Sequence, residues 1–183
     1  MRNKIIWHQV VLVAVMVFLS GYKFLLGRID LDLDTLWWWL GSVAGFIFVF
    51  SDRIFYALVT RTDENMSVEL RENLKKGKVG MALSQLISER HEQKELVMRS
   101  VLFVISWWVL ALFAFTSTAN MFARGLILGI GIHLVFDLLA DYWWDRERLN
   151  LWFWQIKRVV PESEKQVFVV VSLVVFLFMA LFF

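Results

Sequence analysis

The chain has 183 residues, 59% of them hydrophobic and 16% aromatic, with 10 Trp, 17 Phe and 1 Pro. A soluble domain is nearer about 45–50% apolar even with Gly counted, so the composition belongs to the membrane class, and the length suits one domain. The lack of Cys excludes disulfides, thiolate metal sites and Cys nucleophiles, whereas the net charge of +2 excludes little, because placement outweighs the sum.

The predicted fold is an all-α polytopic membrane bundle of five transmembrane helices. Span one covers roughly 5–26, led by Arg2 and Lys4, and reads as an uncleaved signal anchor because no small-residue cleavage site follows. The acidic loop that follows holds Asp30, Asp32 and Asp34. It lacks the glycine and distant glutamate of a calcium loop, so it reads as a solvated cap for span two. Span two covers roughly 36–60, with Asp34 or Thr35 as N-cap and Trp37–Trp39 as an interfacial belt. Its Gly41 and Gly45 form a G-x-x-x-G pair that permits close helix approach.

Residues 61–99 are polar and read as a cytoplasmic helical stalk, broken near Gly77 and then running without Pro or Gly into span three. Within the stalk His91, Glu95 and Arg99 fall four apart, which suits a Glu95–Arg99 helix pair. Span three covers roughly 100–115, a tight turn follows, and span four covers roughly 121–144. Residues 145–158 place Leu149, Trp152, Phe153 and Ile156 on one side, as in an interfacial helix. Pro161, Glu162 and Glu164 make a helix start for span five, roughly 167–183.

Lys and Arg set the orientation. Fifteen lie in the N-terminus, residues 61–99 and residues 146–165, against three in the opposite loops. The N-terminus is therefore expected in the cytoplasm and the C-terminus outside, with a bacterial inner membrane as the suggested location.

Span four carries the chemistry. Taking every fourth residue gives Gly125, Gly129, His133, Asp137, Asp141 and Asp145. Fourfold spacing drifts about 40° per step, so the ladder divides into two jobs. Gly125 and Gly129 form a packing site against span three or two. His133, Asp137 and Asp141 make a polar site in the cytoplasmic half, where Asp52, Arg53 and His8 reach the same leaflet. Ionised groups in hydrocarbon cost about 2.5–3.5 kcal/mol each by insertion scales, so they must be compensated.

Four readings follow. A structural network pairs Arg53 with Asp137 or Asp141 and His133 with Asp137. A binding site for a divalent metal ion or a proton, linked to transport, uses His133, Asp137, Asp141 and Asp52 as ligands, with His8 as a further one. Imidazole and carboxylate suit Zn, Fe, Mn, Co or Ni. An intramembrane metal-dependent hydrolase would use His133 as base with Ser51 or a metal, but no nucleophile elbow or phosphate loop supports it. A non-catalytic scaffold is the reading from another class. Its partners are the lipid bilayer and further copies of the chain, and its contact is an exposed Met81–Leu86–Ile87 face. Nucleic acid is not expected as a partner, because Glu69, Glu72, Glu89 and Glu92 are interleaved with the basic residues and no basic stripe survives.

Overall fold

A computed structural model describes residues 2–30, 32–88, 93–117 and 120–182. The chain is all-helical, with 80% helix and no strand among the described residues. In chain order the helices are α1 (Arg2–Leu25), α2 (Leu33–Phe55) with a π-helical turn (Tyr56–Thr60), α3 (Asn65–Lys75), α4 (Val79–Ser88), α5 (Val101–Ser117), α6 (Met121–Trp144), α7 (Arg146–Leu151) and α8 (Glu162–Phe182). Among the described residues, four stretches are long and apolar enough to cross a membrane: Trp7–Leu25, Leu33–Thr60, Met121–Trp144 and Glu162–Leu181. α5 is as apolar but shorter, with 17 residues. The outward faces match an apolar solvent: Val13, Val17, Val109, Phe113, Val170 and Val174 are all exposed.

Local chemistry sets the helix ends. α2 starts one turn earlier than expected, because Asp32 rather than Asp34 or Thr35 is the cap, accepting from the Thr35 amide at 3.1 Å. α1 closes at Gly27, where φ is +63°. The Arg28 and Gly27 amides return to the Lys23 and Phe24 carbonyls at 2.9 and 3.0 Å, a Schellman ending that needs glycine.

α6 is the hub and touches α1, α2, α5 and α8, with its longest contact on α2. The two glycine pairs expected from sequence meet each other. A Cβ on Gly125 or Gly129 would overlap the Trp38 or Ser42 carbonyl, and one on Gly41 or Gly45 would overlap the Phe122 or Leu126 carbonyl. The α2–α6 contact is therefore backbone against backbone. Trp38 meets Gly125 and Ser42 meets Gly129, and the residues four further along, Phe46 and His133, are also bonded. Both numbers rise together, so α2 and α6 run parallel, and the chain between them must return. α5 is the apolar segment that does so, with a length of about 26 Å.

Two expected helices are cut short. The stalk does not run into α5: residues 93–100 are non-helical. Ser100 caps α5 by accepting the Phe103 amide at 3.2 Å, and Asp52 takes the Val97 and Met98 amides at 3.2 and 2.8 Å. These side chains give the backbone an alternative to the helical ladder. His91 of the stalk lies outside the described residues. Glu95 pairs with Arg61 in place of Arg99. The interfacial helix over 145–158 is reduced to the 6 residues of α7. Leu149, Trp152 and Phe153 turn into the core instead of lying along a membrane surface.

α3 and α4 form a hairpin with its own small core of Met66, Leu70, Ala82 and Leu86 against Tyr56, Ala57 and Leu96. Leu86 is thus buried, and the exposed face expected for a partner keeps Met81 but loses Leu86.

Candidate functional site

The polar site begins where the glycine contact ends. His133 sits one turn beyond Gly129 and is 3% exposed. Its Nδ1 is 2.7 Å from the Phe46 carbonyl of α2. A carbonyl only accepts, so Nδ1 carries the proton and donates. This bond fixes the ring and leaves Nε2 facing Asp137 one turn further along α6.

Three elements converge on Asp137. α1 brings His8, whose Nε2 donates to Oδ1 at 2.8 Å. The segment before α5 brings Arg99, which is ion-paired with Oδ2. α6 itself brings His133, with Nε2 at 3.2 Å from Oδ2. The His8 ring also lies edge-on to Phe136 at 4.7 Å and to His133 at 5.5 Å between centroids. The ligand atoms of His8, His133 and Asp137 lie within 4.8 Å of one another, the one such group among the described residues that could hold a metal ion.

Within this cluster one contact is unresolved by ordinary hydrogen bonding. His133 Nε2 is buried and has no hydrogen-bond partner, although Oδ2 faces it. With Nδ1 committed to Phe46 as donor, a neutral ring presents a lone pair to a carboxylate oxygen. Two acceptors then face each other, a cost that Arg99 on the same oxygen reduces and that a proton or metal ion between them would remove.

The remaining expected ligands are held elsewhere. Asp52 is buried and spends its carboxylate on the Val97 and Met98 amides, which orders the segment carrying Arg99. It is a positioning residue where a ligand was expected. Asp141 accepts from the Trp152 indole at 3.0 Å and so anchors the turn after α7 to α6. Arg53 reaches the Leu86 carbonyl at 3.2 Å and ties α2 to the α3–α4 hairpin. The cation of Asp137 is Arg99, where the sequence suggested Arg53. Ser51, the activating group of the hydrolase reading, donates to the Phe48 carbonyl of its own helix at 2.6 Å.

Sequence reasoning missed Arg99 and Trp152. By spacing Arg99 reads as half of a stalk ion pair, but it is also the last charge before an apolar helix on the side where Asp137 lies, and that position is its signal. Trp152 carried no such signal, since a tryptophan at a membrane edge usually faces lipid headgroups. No family model matches this chain, and no curated protein or solved structure does either.

Proposed function

We propose that the chain is a five-crossing membrane protein, N-terminus in the cytoplasm, that binds a divalent transition-metal cation between His8, His133 and Asp137 as part of ion transport. The observation that carries this reading is the buried, unpartnered Nε2 of His133 facing Asp137 Oδ2 at 3.2 Å. Ligands about 2.1 Å from one metal and about 90–110° apart stand roughly 3.0–3.4 Å from each other, close to the 2.8 and 3.2 Å between the two imidazoles and the carboxylate. The Nδ1–H bond to the Phe46 carbonyl is the outer-shell support that metal-bound histidines use. Two imidazoles and a carboxylate suit Zn, Mn, Fe, Co or Ni.

One observation favours a second reading, a proton in place of the metal. Arg99 already neutralises Asp137. A divalent ion added beside that pair brings two net positive charges into the bundle, whereas a proton on His133 brings one. Elemental analysis of the purified protein separates the two. The metal reading expects near-stoichiometric metal, lost in Asp137→Ala. The proton reading expects no metal and a histidine nitrogen NMR spectrum with both His133 nitrogens protonated near neutral pH. A metal-free protein that refuses Zn, Mn and Ni and holds His133 neutral would end both.

Five crossings are supported by the parallel run of α2 and α6, which needs α5 to cross back, and orientation by the bias of Lys and Arg. Because the chain has no Cys, single cysteines report the sides directly. Ser84→Cys is expected to label from the cytoplasm and Thr116→Cys from the opposite face. Labelling of both from one face would overturn the topology.

A further inference from the structure

We propose that the tip of the α3–α4 hairpin docks on the anionic surface of a bilayer, with its lysines on lipid phosphates and its apolar side chains between the headgroups. Residues 73–88 hold Lys75, Lys76 and Lys78 and neither Asp nor Glu. Residues 74–81 are all exposed, so the lysines share the tip with apolar groups that the rest of the chain leaves uncovered. Val79 is 55% exposed and Met81 60%, with Leu74 and Leu83 also exposed. A solvated turn gains nothing from such side chains. Cations set around short apolar groups instead match a headgroup layer, which offers phosphate above and hydrocarbon beneath.

The tip has a defined shape. Gly77 takes φ +71°, and the Gly77 and Lys78 amides return to the Leu74 and Asn73 carbonyls at 3.0 and 2.9 Å, which ends α3 and reverses the chain. Asn73 donates to Gln85 at 3.2 Å and Gln85 to Glu69 at 2.9 Å, so α4 is tied back along α3. Glu72 pairs with Lys76 at 3.1 Å, but both side chains are more than half exposed, and a pair of that kind is weak. Among the described residues no ion pair holds Lys75 or Lys78. The charge left at the tip is positive and asks for anions. A second copy of the tip would set lysine against lysine.

Depth brings the lipid within reach. The Leu86 carbonyl accepts from Arg53 at 3.2 Å, and Arg53 lies inside the spanning stretch Leu33–Thr60. From Leu86 back to Val79 α4 covers about 11 Å, and the span covers a similar length from Arg53 to Thr60. α4 therefore starts near the level where the span ends. The field of an anionic leaflet extends about 8–10 Å from its surface at ordinary salt, far enough to act on lysines at that level.

A single cysteine serves as the reporter, since the chain has none of its own. Gly80→Cys adds a side chain where nothing lies within 4 Å and leaves Val79 and Met81 in place. The full chain, labelled there with an environment-sensitive dye, is placed one copy per nanodisc in phosphatidylcholine, alone or with about 30% phosphatidylglycerol. Both lipids carry a trace of nitroxide near the top of an acyl chain. One lysine at an anionic surface is worth roughly fivefold in occupancy. Strong quenching and a blue shift are expected in the anionic discs. Quenching should be at least about fivefold weaker in phosphatidylcholine, at about 1 M salt, and in the combined Lys75→Gln, Lys76→Gln, Lys78→Gln variant. Val79→Ser with Met81→Ser should lose the quenching too. All five side chains are exposed, so both variants should keep the parent's Tm, and the lipid and salt comparisons on the native tip decide the matter even where a variant fails to fold. No quenching in the anionic discs, equal quenching in phosphatidylcholine, or a response that persists without the three lysines would overturn the proposal. So would a shift seen only when two copies share a disc, because the tip would then meet a second copy of the chain.

Discussion

Asp137→Asn tests whether Arg99 and Asp137 form one buried unit. Both side chains are under a tenth exposed, so water screens neither, and the carboxylate also receives the His8 imidazole. Replacing it with an amide leaves the Arg99 guanidinium buried beside two imidazoles without its paired carboxylate, and with only Asp52, which is engaged by the Val97 and Met98 amides, as a further counter-charge. Breaking a buried pair from one side costs about 3–5 kcal/mol, because the surviving charge stays desolvated. Arg99→Gln leaves the carboxylate in the same position, and a similar loss is expected. The double variant Arg99→Gln, Asp137→Asn replaces both charges with amides that can hydrogen-bond each other and His8. It should therefore lie well above the sum of the single losses, with a coupling of at least about 2 kcal/mol. The assay is denaturant unfolding in detergent at pH 7, read by the fluorescence of the 10 tryptophans. An additive double variant would refute the reasoning, since it would mean the two groups act independently.

Two further outcomes follow from the packing. Gly129→Leu forces a side chain into the Ser42 carbonyl of α2 and should cost at least about 3 kcal/mol, or prevent folding, whereas Leu at Gly21, which has open space, should change stability by less than about 1 kcal/mol. Equal effects at the two positions would show that α2 and α6 do not meet through their glycines. Asp52→Asn keeps the shape but weakens acceptance from the Val97 and Met98 amides. It should lower stability by about 1–3 kcal/mol and raise amide hydrogen exchange at those two residues. Unchanged exchange there would remove Asp52 from its positioning role.

The long apolar helices were legible from residue pattern alone, because a bilayer leaves a membrane helix few alternatives. α6 begins and ends at the residues the sequence marked, Met121 and Trp144. The glycines of spans two and four were also legible, since a small residue at fourfold spacing has one structural use in such a helix. What the pattern could not reveal was competition at the membrane edge. Residues 93–100 read as helix by propensity, yet Asp52, 45 residues earlier, takes the Val97 amide and breaks it. Residues 152–154 read as an interfacial helix by their apolar side, yet the indole of Trp152 finds Asp141 instead. Both overrides are made by carboxylates that the sequence had assigned to the ion site. A carboxylate at that depth can take metal, guanidinium or backbone amides, and sequence spacing does not say which is nearest.

The fourfold stripe on α6 explains why the site is where it is. At 3.6 residues per turn each step of four residues rotates about 40°, so the stripe cannot stay on one neighbour. Gly125, Gly129 and His133 all meet α2: the first two through backbone contact, the third by donating to the Phe46 carbonyl. A histidine ring cannot fit where two backbones touch, so the glycine contact stops there. Rotation then carries Asp137 off α2 and toward α1, where His8 and Arg99 meet it. One further step carries Asp141 to Trp152 after α7. α2, α1, the segment before α5 and the turn after α7 are thus bound in turn by one helix edge, and His133 is the member whose second ring nitrogen faces the Asp137 carboxylate. The polar cluster is therefore a consequence of the packing: the glycines bring α2 close enough for the Phe46 carbonyl to fix the His133 tautomer, and that tautomer leaves Nε2 facing the Asp137 carboxylate.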